Sequence, residues 1–275
     1  MKFKKALGKL IVYIIVTAGA LFSLLPFIWM VSTSFKTQRE AIQIPPTWIP
    51  KVFTLDAYKM VWTKIAFPRY IYVSLIVALF TLIGVVFTAL LAAYAFSWFK
   101  FKGRETIFVS LLALMMVPVP VYVIPLFILV QYLGWLDTYY ALIIPWSVNI
   151  FAIFLLRQHM RSIPKDLYEA AIIDGCGRLC FLFRIILPLI KPAVVTIAIF
   201  NIIGSWNAFM WPLMVVNSDK MRPIQVGLAY FSQGESTNYP ALMAASFIAI
   251  MPLVILFFIA QKQIVASYAK SGLKG

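Results

Sequence analysis

Asn149, Asn201, Ser205 and Asn207, with Trp206 and Trp211, are the polar and indole side chains set inside otherwise apolar runs. Neutral amides and a hydroxyl beside indole faces suit a hydroxyl-rich, uncharged solute, because they offer hydrogen bonds and a flat apolar platform. Asn201 and Ser205 stand one helical turn apart; Trp206, Asn207 and Trp211 lie nearer the outer half of the same run. The same residues also suit interhelical hydrogen bonding, and Trp211 suits an interfacial belt. Both readings stay open at the level of sequence. Aspartate, glutamate, lysine and arginine are absent from the centres of the apolar runs, which leaves no candidate for a proton or sodium relay.

A second constellation occupies a charged island between apolar runs, residues 162–192. Glu169-Ala170-Ala171 is followed by three residues and Gly175, then by nine residues and Ile185-Ile186-Leu187-Pro188. Ser162 as cap, Pro164 in a first turn and Asp166 at the positive end of the dipole predict a short helix over 164–174. Gly175 and Gly177 let the chain turn into a second short helix over 178–186, before Pro188 and Pro192 reset its direction. The bland alternative is a solvated hairpin with Glu169 as a surface carboxylate. Cys176 and Cys180, four apart and near His159, supply too few ligands for a structural zinc site and are expected to be reduced. No metal site is expected.

The elements that must position these residues follow from composition. The chain has 275 residues, 63% hydrophobic and 12% charged, with mean hydropathy +0.93. That is too little charge to cover a water-facing surface of this size. The net charge of +15 does not indicate nucleic acid, because lysines and arginines flank apolar runs instead of forming an aromatic-interleaved face. An all-α membrane protein with six transmembrane helices is predicted, over 10–33, 70–98, 106–131, 139–156, 193–216 and 241–260. The first run continues well past a signal-peptide length, so it reads as an uncleaved span. A short amphipathic helix over 55–62 interrupts the polar segment 34–69.

Two-thirds of the 24 lysines and arginines fall on the side holding both termini and the Glu169 island, which places that side in the cytoplasm. Pro118, Pro120, Pro125, Pro145, Pro212 and Pro252 lie within four consecutive spans. Each removes a backbone hydrogen bond, favouring a bent, cavity-lining bundle over straight packing. No phosphate-binding G-x4-G-K-[ST] loop, H-E-x-x-H or G-x-S-x-G motif occurs, so no catalytic residue is assigned.

The E-A-A-x3-G-x9-I-x-L-P pattern resembles the EAA loop of ABC-importer membrane subunits at every fixed position. Gly134-Trp-Leu-Asp-Thr138, Ala141-Leu-Ile-Ile-Pro145, Phe154-Leu-Leu-Arg-Gln158, Trp206-Asn207-x-Phe209-x-Trp211-Pro-Leu213 and the 271–275 ending are similar to maltose-type carbohydrate permeases. The resemblance implies a type I importer transmembrane domain over 70–261, preceded by a first helix and external loop over 1–69 and followed by a cytoplasmic tail over 262–275. It further implies a second homologous permease, two ATPase subunits that hold ATP and magnesium, and an extracytoplasmic solute-binding protein. All would assemble in a bacterial-type inner membrane, with no cofactor in this chain. Glu169, Ala170, Ala171, Asp174, Gly175, Leu187 and Pro188 would then couple it to an ATPase. Asn149, Asn201, Ser205, Trp206, Asn207 and Trp211 would border the solute pathway. A stand-alone carrier or an integral membrane enzyme is the rival. The first should show inverted repeats or intramembrane ionisable groups, the second a cluster of catalytic side chains, and the sequence shows neither.

Overall fold

A computed structural model describes residues 2–63, 66–232 and 238–272. These residues are helical and connecting segments, with no strand among them, and form two compact units.

The first unit comprises residues 1–68 and 227–252. Its long helix α1 (Lys2–Ser34) has no polar break, and none of the most apolar window of Gly8–Ser34 is buried within the chain. Thr37 caps α2 (Gln38–Ala41) by accepting from Glu40 N at 3.3 Å. Glu40 Oε1 in turn accepts from Thr47 Oγ1 and Lys51 N, both at 2.9 Å, closing the polar segment on itself. The Lys51 N–H, ahead of the opposing effect of burial, holds the Glu40 carboxyl below the usual carboxylate range. The expected amphipathic helix forms as α3 (Asp56–Thr63).

The second unit comprises residues 69–226 and 253–275. Its central element is α4 (Phe67–Trp98), with no proline beyond its first turn. Then follow α5 (Arg104–Leu114), α6 (Val119–Tyr132), α7 (Tyr139–Ile143), a 3₁₀ turn (Ile144–Trp146) and α8 (Ile150–Arg161). Next come α9 (Asp166–Ile173), α10 (Arg178–Cys180), a π-helical stretch (Phe181–Ile186) and α11 (Leu187–Leu189). The chain continues through α12 (Lys191–Trp206), α13 (Met210–Val215), α14 (Ile224–Ser232) and α15 (Tyr239–Gly272), of which residues 227–252 belong to the first unit. Gly84 lets α4 approach the chain after the 3₁₀ turn: a Cβ there would stand 2.6 Å from Ser147 Cβ. Thr88 Oγ1 donates to Ser147 O at 2.9 Å beside it.

Among the described residues, four helical segments are long and apolar enough to cross a membrane: Gly8–Ser34, Phe67–Trp98, Tyr139–Arg161 and Tyr239–Gln261. The third expected span is not straight, the fifth is interrupted at 207–209 between α12 and α13, and a sharp bend precedes it where Pro188 and Pro192 are expected to reset the chain. Arg104–Leu114 and Val119–Tyr132 meet at 98°, and Arg178–Leu189 and Lys191–Trp206 at 78°, so six spans result only when each bent pair counts as one. The physical cause is proline: Pro118 is extended (φ −63, ψ 141), and Pro192 opens α12 where no i−4 bond is required of it. Helix α15 runs on through Gly272, into the expected tail, and 273–275 lie outside the described residues.

Candidate functional site

A cavity of about 420 Å³ opens inside the second unit between α4, α8 and α12. Its polar lining is Ser74, Thr81, Asn149, Asn201 and Ser205, all uncharged, beside the rings of Trp146, Phe209 and Trp211. Asn149 is there because it caps α8, its Oδ1 accepting from Ala152 N at 3.0 Å. Asn201 and Ser205 share a face of α12 one turn apart. Trp211 gives its indole N–H to Ala141 O at 2.9 Å, so only its ring is left for the cavity, edge-on to Trp146 with centroids 5.9 Å apart.

Two expected residues lie elsewhere. Trp206 is buried and does not border the cavity. Asn207 is exposed, donating Nδ2 to Ile203 O at 3.0 Å and accepting from Gln225 Nε2 at 3.3 Å. Helix α12 ends at Trp206, so the turn-apart spacing that joins Asn201 to Ser205 stops applying there. Ser74 and Thr81 were not singled out in the sequence, although seven residues apart they share a helical face in the apolar run. Ser74 Oγ is committed, accepting from Ile224 N at 2.8 Å. Thr81 Oγ1 and Asn201 Oδ1 are buried and have no hydrogen-bond partner among the described residues. An orphaned buried polar atom costs about 1–3 kcal/mol, and both belong to residues of the cavity lining.

The second constellation is an exposed turn. Lys165, not Ser162, precedes α9. Ser162 ends α8, which runs on to Arg161, and both its N–H (3.3 Å) and its Oγ (2.8 Å) donate to His159 O in that last turn. At the other end Gly175 N donates to Ile172 O at 2.9 Å and Cys176 N to Ala171 O at 2.8 Å, with Gly175 at φ +76. This is a Schellman termination, and it gives the E-A-A-x3-G spacing a physical meaning: Ala171 accepts the outer bond and the glycine four residues on turns left-handed. A Cβ on Gly175 would meet nothing within 4 Å, so conformation and not crowding within the chain selects glycine.

Ala171 packs inward, whereas Glu169, Ala170 and Asp174 face out beside the exposed side chains of Leu167, Ile172, Ile173 and Leu179. Such a rimmed apolar patch suits a contact surface. Leu187 packs against the core and Pro188 is exposed, both in the last turns before the 78° bend into α12. The cysteines are not reduced thiols here: Cys176 and Cys180 form a disulfide, because the turn at Gly175 and the extended Gly177 bring their Cα atoms to 5.5 Å.

The turn is fastened to α4. Trp98, Tyr168 and Phe181 pack as an aromatic triad with centroids 4.8–5.5 Å apart, and Tyr94 Oη donates to Arg178 O at 3.0 Å. Behind them Arg157, 2% exposed, donates to both Glu105 oxygens at 2.6 Å and to Phe96 O at 3.3 Å. Its guanidinium lies 3.7 Å from the centroid of Phe108. Sequence reading placed Arg157 among the flanking cations; nothing but its position at a span end hinted that it is buried.

Residues 84–270 match the family model described as the binding-protein-dependent transport system inner membrane component. The chain is 37% identical over 263 residues, 93% of each chain, to the trehalose/maltose transport system permease protein MalG of Thermococcus litoralis. It is 36% identical over 228 residues, 82% of this chain and 81% of the relative, to the arabinooligosaccharides transport system permease protein AraQ of Bacillus subtilis. Among solved structures, a chain of a bacterial ABC transporter involved in the import of alginate superposes with TM-score 0.83 at 23% identity. That match covers 94% of this chain and 96% of the other. The architecture is therefore that of an ABC-importer transmembrane subunit.

Proposed function

The chain belongs to the family of binding-protein-dependent transport system inner membrane components, and we propose that it forms half of the pathway of an ATP-driven importer for a neutral oligosaccharide. The observation that carries the solute class is the cavity: every polar group lining it is uncharged, and two are orphaned beside aromatic faces. Relatives named for arabinooligosaccharide and trehalose/maltose transport support the same class. A second permease would supply the other half, and an external binding protein would deliver the solute.

In this reading the α9 turn seats in a groove of an ATPase subunit. Leu167 and Ile173 would bury against it, Ala170 would allow close approach, and Glu169 would meet a cation. ATP and magnesium belong to that partner. The lysine and arginine distribution supports a cytoplasmic position for the turn and for both termini. Closure of the ATPase pair would then reorient the walls of the cavity.

The test uses the complete importer. Uptake of a labelled neutral oligosaccharide should be competed by unlabelled neutral saccharides and not by acidic ones. Glu169→Lys should reach the membrane at wild-type level yet lose uptake and binding-protein-stimulated ATP hydrolysis together, since like charges would meet at the contact. Competition by acidic saccharides alone overturns the solute class, and full coupled activity in Glu169→Lys overturns the docking role.

A further inference from the structure

A second cavity, of about 1030 Å³, lies where α4 ends at Trp98 and α5 begins at Arg104, against the end of α8 and the start of α9. Four cationic side chains line it against two carboxylates. The carboxylate of Glu105 is already over-matched, receiving both Arg157 Nη2 contacts at 2.6 Å and Arg104 Nη2 at 3.0 Å. Arg104 is also committed to Phe99 O at 3.1 Å. Lys100, Arg161 and Lys165 therefore add exposed positive charge that only Glu169 opposes within the lining.

The interior carries a matching demand. Ser97 Oγ and Trp98 Nε1 belong to lining residues, are buried, and have no hydrogen-bond partner among the described residues. An indole N–H can only donate, so what satisfies it is an acceptor. Packing against Tyr168 and Phe181 holds that indole in place. A fixed donor, a hydroxyl and three cations against one carboxylate together describe an oxyanion site. Its depth names the source: Trp98 closes a span of 32 residues, so the cavity lies at a membrane–water boundary, the level of lipid headgroups. The volume also accommodates more than a bare phosphate.

We propose that this cavity binds the phosphate of an anionic membrane lipid, held by Lys100, Arg161 and Lys165 and by hydrogen bonds from Ser97 Oγ and Trp98 Nε1. The site adjoins Glu169, so an occupied cavity braces the α9 turn from the membrane side. It does not depend on which solute the importer carries.

The assembled importer, wild type and Lys100→Gln/Arg161→Gln/Lys165→Gln, is placed in nanodiscs of phosphatidylcholine with a minor fraction of phosphatidylglycerol. It is then released into detergent, and retained lipid is read by native mass spectrometry. The wild type should keep one phosphatidylglycerol at this chain. The triple variant should lose it by about tenfold or more, the scale expected when charge-assisted contacts are removed. Ser97→Ala, which leaves every charge in place, should reduce retention by about 2- to 12-fold, and it carries the test where the triple variant assembles poorly. Equal retention in wild type and both variants overturns the proposal, as does equal retention of phosphatidylcholine. Inorganic phosphate that displaces the lipid and occupies the site alone overturns the lipid as its source. Lysine labelling at Lys100 and Lys165 that rises only when the ATPase subunits are removed, whatever the lipid, shows that protein fills the cavity and also overturns it.

Discussion

Replacing Gly175 separates conformation from contact, because its Cβ position is empty within the chain while its φ is +76. An L residue held left-handed costs about 1–2 kcal/mol, more when β-branched and less for asparagine. Abandoning that conformation instead breaks the two terminating bonds, Gly175 N to Ile172 O and Cys176 N to Ala171 O, at about 0.5–1.5 kcal/mol each. For alanine the strain is the smaller loss, so the turn survives under tension. For valine the two losses cross, and the turn opens. If only the turned loop docks, a penalty of one to two kcal/mol lowers the competent population by about 5- to 30-fold. Stimulated ATP hydrolysis by the assembled importer should therefore rank Gly ≈ Asn > Ala > Val, with membrane insertion unchanged in all four. The assay is run with dithiothreitol, since the Cys176–Cys180 bridge would otherwise hold the turn from its far side. A ranking by size, with asparagine as damaging as valine and alanine benign, would refute this reasoning and show that a partner surface crowds the position.

Thr81→Val and Asn201→Ala should each raise the solute concentration for half-maximal transport by about 2- to 12-fold, the loss of one hydrogen bond. Thr81→Val should at the same time leave the solute-free complex as stable or stabler, because it removes an orphaned hydroxyl; unchanged transport kinetics in both would return these residues to packing. Asp137 accepts from Asn217 N and Ser218 N at 3.1 and 3.0 Å; burial pushes its carboxyl up, but those N–H groups, the Ser218 hydroxyl and the Arg222 charge together outweigh it and hold it below the usual value of 3.8. A depressed folded value means that the stabilisation is present at neutral pH and is lost as pH falls through it, so the stability gap between wild type and Asp137→Asn should close below about pH 4. Thermal unfolding with the same gap at pH 7 and in acid would refute that assignment.

The helical class, the apolar runs and the turn at Gly175 were legible because each rests on local chemistry: hydropathy over a span length, and a glycine four residues after the last inward alanine. Direction was not. Hydropathy integrates along the chain and is blind to a reversal, so residues 115–118 read as a kink within one span where the backbone turns by 98°. Helix ends misled twice, at Ser162, which closes a helix instead of opening one, and at Asn207, which lies one residue past the end of α12. Thr81 stayed hidden because a lone hydroxyl in a run of mean hydropathy 2.8 is indistinguishable in sequence from one paired to its own helix. The disulfide was missed although the turn at Gly175 and Gly177 was legible, because that turn takes Cys176 and Cys180 off a common helix and only the folded backbone shows how close it brings them.

Under the proposed coupling role, the two ends of the charged island reach the cavity by different routes, and the difference has a mechanical consequence. One end is locked by Trp98, Tyr168 and Phe181 to the last turn of α4, the same helix that places Thr81 in the cavity wall. From Trp98 to Thr81 is seventeen residues of helix without a proline, about 26 Å at 1.5 Å per residue, stiff enough to carry a displacement whole. The other end runs through a π-helical stretch and the 78° bend into α12, which places Asn201 in the facing wall. A π-helical turn and a proline bend are the places where helices yield. A shift of the α9 turn would therefore move the Thr81 wall nearly in full and the Asn201 wall less. That changes the spacing between the two orphaned groups instead of translating them together, which is what a solute site must undergo to bind in one state and release in the other.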